Sequence, residues 1–121
     1  MGVDLAMRVF NSGATRDADV DKIDFAGFLS SLALKRFGEY MLHHQRQADG
    51  QRRRSDNWKL GIPLDAYYRS LMRHTQDVAL HFDGYPGEAR DTLENELCAV
   101  LFNVQGMLHE LMKVRAVGRE E

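Results

Sequence analysis

A chain of 121 residues, 44% apolar and 28% charged, has the make-up of one soluble globular domain, large enough to bury a core without disulfide staples. A net charge of −2 gives no global basic field and argues against DNA or RNA as a partner. One cysteine, Cys98, excludes an intrachain disulfide, and no apolar run approaches the ~20 residues of a membrane span, so a cytoplasmic protein without a membrane partner is expected. Met1–Phe10 carries Asp4 and Arg8 and does not read as a signal peptide.

Residues 1–24 read as an irregular N-terminal arm of a single all-α domain spanning 1–121. Its segment Asn11-Ser12-Gly13-Ala14-Thr15-Arg16-Asp17 is either a flexible arm or a ligand-contacting loop. In the second case Gly13 lets the backbone approach closely, and Arg16 or Lys22 meets phosphate. The Gly and Lys spacing of a Walker A loop is absent.

Phe28, Leu29, Leu32, Phe37 and Tyr40 form an apolar stripe that predicts a first long helix over about Phe25–His44. Glu39 and His43 lie on another face, where a surface pair is the plain reading. Asp49-Gly50 stops the helix, and Arg52-Arg53-Arg54 follows, either solvated or poised for phosphate oxygens.

Ser55 to Pro63 is a Gly/Pro-punctuated loop holding the single tryptophan, Trp58, and it launches a second helix, Leu64–Phe82. Tyr67, Leu71, Thr75, Val78 and Phe82 line one side of that helix. His74, Asp77 and His81 stack on an adjoining side. Asp83-Gly84-Tyr85-Pro86-Gly87 ends it. A third helix is predicted over about Glu88–Val114, with Leu93, Leu97, Val100, Leu101, Val104, Leu108, Leu111 and Met112 over a broad sector. It should be the most buried helix, followed by a frayed tail from Val117. Glu96, Asn103 and Glu110 recur every seven residues along it, with Ala99 and Gly106 between. Such a polar line must be hydrogen-bonded, exposed or ligating. An apolar sector this wide also predicts self-association.

Gly13-Ala14-Thr15-Arg16-Asp17, Lys22 and Asp24, Phe37-Gly38-Glu39-Tyr40, Asn57-Trp58-Lys59-Leu60-Gly61, Leu71-Met72-Arg73-His74 and Glu96 through Asn103 occur in a familiar order. In these the chain resembles a mostly phage-encoded family, the N-terminal domain of dATP/dGTP diphosphohydrolases, related to the MazG-like all-α NTP pyrophosphohydrolases. Three long helices are thus expected, and the resemblance implies an all-α fold in which helix pairs from two subunits make a MazG-like bundle, a purine nucleotide ligand and, in active members, Mg²⁺. Those enzymes cleave between the α and β phosphates, with metal ions offsetting the developing charge. Carboxylates hold the metal, a Glu-x-x-Glu pair on one helix and a Glu-x-x-Asp pair on the next. Here His74-x-x-Asp77 occupies the first place and Glu96-x-x-Ala99 the second.

Three functions follow from this departure. In the first, the chain binds a purine nucleotide or nucleotide-derived signal with weakened or no hydrolysis, a design that would suit sequestration of a host immune nucleotide. Trp58 or a tyrosine (Tyr67, Tyr68 or Tyr85) stacks on the base, Arg16, Arg53, Arg73 or a neighbouring arginine meets phosphate, and His74, Asp77, Glu96 and Asn103 hydrogen-bond sugar or base edges. In the second, it is an active pyrophosphohydrolase: Glu39, Asp77 and Glu96 bind Mg²⁺, and His74 positions or deprotonates water, giving His74, Asp77 and Glu96 as the catalytic set. In the third, it is a non-catalytic helical interaction protein.

Overall fold

The computed structural model describes residues 7–19 and 21–120. The expectations for residues 1–6 and for Glu121 lie outside the described residues. The chain divides into two compact units, Met1–Leu34 and Lys35–Glu121.

Among the described residues, strand occurs only in the first unit. β1 (Arg8–Val9) pairs antiparallel with β2 (Thr15–Arg16), with Val9 opposite Thr15. Gly13, at φ +91°, closes the turn between them, a left-handed conformation that glycine adopts without a Cβ penalty. The Arg8 guanidinium donates to Asp19 across 2.9 Å. The loop expected around Gly13 is thus a hairpin, too short to show as alternation in the sequence.

The first long helix is interrupted. α1 (Phe25–Phe28) is a single turn whose N-terminus is capped by Asp24, its Oδ1 accepting from the Gly27 backbone N–H at 3.0 Å. Leu29 is extended, and α2 (Ser31–His44) then starts afresh, the Ser30 hydroxyl accepting from the Ala33 N–H at 3.0 Å. A serine that caps a helix competes with its own place inside one, and here the cap prevails.

In the second unit α2 ends at His44 and a tight hairpin follows. Arg53 N–H donates to the Gln45 carbonyl (2.7 Å) and Gln47 N–H to the Gln51 carbonyl (2.8 Å). Asp49-Gly50 is therefore its turn rather than the stop of the helix. A 3₁₀ turn over Asn57–Leu60 presents Trp58, and Pro63 opens α3 (Leu64–Phe82), with Asp65 in its first turn. α3 ends as the Asp83 and Tyr85 N–H groups turn back onto the Ala79 and Leu80 carbonyls.

α4 (Leu93–Glu120) begins later and ends later than its apolar pattern suggested. Its start is set by Asp91-Thr92: the Thr92 hydroxyl accepts from the Asn95 N–H, and the Asp91 carboxylate accepts from the Thr92 N–H and the Asn95 amide. Asn95 first, then the Thr92 N–H, holds the Asp91 carboxyl below its usual range. Past Val114, Arg115 and Ala116 favour helix, and the tail stays wound to Glu120.

α3 and α4 pack along a seam that reverses the simplest hydrophobic expectation. The buried residues of α4 include Glu96, Cys98, Ala99, Asn103 and Gly106, and those of α3 are Tyr67 and Asp77. The leucine line Leu97, Leu101, Val104, Leu108 and Leu111 points outward, with Leu108 55% exposed. The small residues of the polar line explain the choice. Ala99 and Gly106 leave room for close approach, and the ring of Tyr67 fills the space beside Gly106. α2 is tied to this pair by Arg36, which donates to Glu94 (2.9 Å) and Asn95 (2.6 Å). Among the described residues no helix is long and apolar enough to cross a membrane.

Candidate functional site

Within the second unit a cavity of about 540 Å³ opens between α2, the hairpin, the Trp58 turn, α3 and α4. Each wall supplies a different chemistry. The Trp58 turn gives the indole, the hairpin end gives Arg53 and Arg54, α3 gives His74, and α4 gives Phe102 and Asn103. A volume of this size holds a small organic ligand.

Trp58 is fixed from behind. Its ring meets His109 edge-on with centroids 4.9 Å apart and Phe102 at 6.4 Å, so the loop that carries it is docked on α4. Lys59 places its ammonium 5.6 Å from the indole centre. On the α2 wall the Tyr40 and His44 rings meet at a tilt, their centroids 4.1 Å apart. Burial raises the Tyr40 phenol and lowers the His44 imidazole, so each favours its neutral form.

Asn103 is held by its Nδ2, which donates to the Ala99 carbonyl across 2.8 Å. A carbonyl can only accept, so this contact settles which end of the amide faces the backbone and leaves Oδ1 as the free acceptor. His74 is held in the same way, its Nδ1 lying 2.6 Å from Glu96 Oε2, which leaves Nε2 as the remaining ring nitrogen.

Behind His74 lies the charged part of the seam. The ligand atoms of His74, Asp77 and Glu96 are all within 4.8 Å of one another. Glu96 is 1% exposed and Asp77 5%. Arg90, from the segment before α4, donates its Nε to Asp77 Oδ2 across 2.6 Å. Burial alone would raise the Asp77 carboxyl, but hydrogen bonding and charge from Arg90, with a hydrogen bond shared with Glu96, hold it below its usual range. Glu96 Oε1 is buried and meets no donor among the described residues.

Several expected site residues thus come together, and others do not. Trp58, His74 and Asn103 line the cavity, and Asp77 and Glu96 stand behind His74. Tyr67 is interior, wedged between α3 and α4 with its hydroxyl unpartnered among the described residues. Arg73 is exposed on α3, and Glu39 is exposed on α2 outside the carboxylate cluster. Arg16 belongs to β2 of the first unit. His81, third in the His74/Asp77 stripe, instead bonds the Asp91 backbone carbonyl at 2.8 Å and braces the α3–α4 connection. Cys98 is buried, and burial pushes its thiol up, away from the reactive thiolate.

Arg90 and Ser70 were missed by sequence reasoning. Ser70 lies one turn before His74 on α3, a spacing that could have drawn attention to it. For Arg90 no local signal exists: it lies 13 residues from Asp77, and only the turn between the helices brings them together. No family model matches the chain, and no curated protein or solved structure matches it significantly.

Proposed function

We propose that this chain is a nucleotide-binding module that holds a purine nucleotide, or a signal derived from one, with weakened or no hydrolysis. The observation that carries the reading is the sharing of one cavity by Trp58, Arg53, Arg54, His74 and Asn103. An aromatic face suits a base, worth ~1–3 kcal/mol where it stacks. Guanidinium groups suit phosphate oxygens, and the hairpin bonds hold the Arg53 backbone at the cavity. Asn103 Oδ1 is an acceptor for a base N–H, which adenine and guanine both provide.

Weak or absent hydrolysis follows from the state of the carboxylates. One oxygen of each carboxylate is already engaged, Asp77 Oδ2 by Arg90 and Glu96 Oε2 by His74, so a metal ion would have to compete with the protein's own side chains. The active alternative, a Mg²⁺-dependent pyrophosphohydrolase releasing pyrophosphate from dATP or dGTP, draws on the convergence of His74, Asp77 and Glu96. Calorimetry with dATP, dGTP and their monophosphates, followed by analysis of the nucleotide recovered after denaturation, separates the two. Intact ligand supports the binding module; pyrophosphate release lost in Asp77→Ala supports the enzyme. Absence of binding by every nucleotide overturns both.

A further inference from the structure

We infer that Arg90 is the resident cation of the Asp77–Glu96 carboxylate pair, standing where a divalent ion would otherwise sit, so that the native chain excludes such an ion and loss of Arg90 admits one. The inference concerns the seam behind the cavity and holds whatever the cavity binds.

Two buried carboxyl groups whose oxygens lie within 4.8 Å repel when both are ionised, and they persist only with a proton or a cation between them. Arg90 brings a cation to the Asp77 side of the pair. Its Nε reaches Asp77 Oδ2, yet its side chain is 51% exposed, so the charge is inserted from outside rather than built into a helix. It comes from the short segment joining the Pro86–Glu88 turn to α4. A charge delivered from such a segment can be withdrawn without unpacking α3 from α4.

Glu96 Oε1 marks the side of that cation position which Arg90 leaves unfilled. This oxygen is fully buried and meets no donor among the described residues. A carboxylate oxygen left bare in an apolar setting is costly, and a metal ion is one partner that satisfies it.

The donor set does not fit Mg²⁺. Magnesium requires near-octahedral oxygen ligation, whereas the cluster offers one imidazole nitrogen and two carboxylates, each with one oxygen already engaged. Ala99, one turn beyond Glu96 and buried in the same seam, contributes no ligand. With Arg90 gone, a nitrogen and two carboxylates suit Mn²⁺, Co²⁺ or Zn²⁺ better.

The test is Mn²⁺ binding, followed by the electron paramagnetic resonance of free Mn²⁺, on the full chain and on Arg90→Gln. The native chain should show no saturable site. Arg90→Gln should bind one Mn²⁺ about a hundredfold or more tighter. Adding Asp77→Asn to Arg90→Gln should abolish the gain. Native chain and variant binding Mn²⁺ equally, or a gain that survives Asp77→Asn, would overturn the inference. Should Arg90→Gln fail to fold in metal-free buffer, refolding it with saturating Mn²⁺ decides the matter: recovered helical circular dichroism supports a replaceable cation, and no recovery refutes it.

Discussion

The ring of Tyr67 occupies the place that a Cβ on Gly106 would take. A glycine in mid-helix costs α4 about 1 kcal/mol relative to alanine, so its presence needs a reason, and the Tyr67 ring is that reason. Gly106→Ala should improve local helix propensity and still destabilise the protein by about 1–3 kcal/mol, because the ring has no free end to swing aside. Urea unfolding measures the sign. A stabilised variant would mean that α3 and α4 do not pack in this register.

Trp58 both faces the cavity and anchors its loop to Phe102 and His109. Trp58→Phe should keep most of the anchor and reduce nucleotide affinity modestly. Trp58→Ala should reduce it by about 10–100-fold, as the loss of one stacked base implies. Because this is the single tryptophan, quenching of its fluorescence reports binding directly. Unchanged affinity in Trp58→Ala counts against a stacked base.

The seam makes stability depend on acid. Asp77 titrates below an ordinary aspartate, burial being outweighed by Arg90 and Glu96. As pH falls, the unfolded chain therefore takes up this proton first. Its stabilisation is whole above the unfolded value near ~3.9 and is lost as pH falls through the lower folded value. In Arg90→Gln burial is no longer opposed by the guanidinium, so the loss should begin at higher pH. Urea midpoints recorded between about pH 6 and pH 3 check this. Identical acid profiles for variant and parent would show that Arg90 does not govern Asp77.

The exposed line Leu97, Leu101, Val104, Leu108 and Leu111 alternates steps of four and three, the spacing of a helix-pairing seam. We expect it to associate with a second copy of the chain. Light scattering should find a dimer or larger species, and Leu101→Glu with Leu108→Glu should yield a monomer that keeps its helical circular dichroism. A monomeric parent protein would remove this expectation.

The predominantly helical fold and α3 were legible because their signals are local. Pro63, Asp65 and the Asp83–Gly87 stretch punctuate α3 at both ends, and its apolar spacing repeats over several turns. The break at Leu29–Ser30 was not legible, since the apolar stripe runs through it and the Ser30 cap competes with a continuous helix over only a few residues. The convergence of His74, Asp77 and Glu96 was partly legible. His74 and Asp77 share a face by spacing alone, whereas their approach to Glu96 depends on how α3 meets α4.

The sequence by itself determined that α4 carries two lines, one of leucines and one of Glu96, Ala99, Asn103, Gly106 and Glu110. It could not say which would face α3, because hydrophobicity favours the first line and close packing the second. Tertiary structure chose the second: Tyr67 needs the space beside Gly106, and Glu96 and Asp77 find their partners in His74 and Arg90 only across that seam. Helical periodicity is written in neighbouring residues, but the pairing of charges between helices is decided only when the chain folds back on itself.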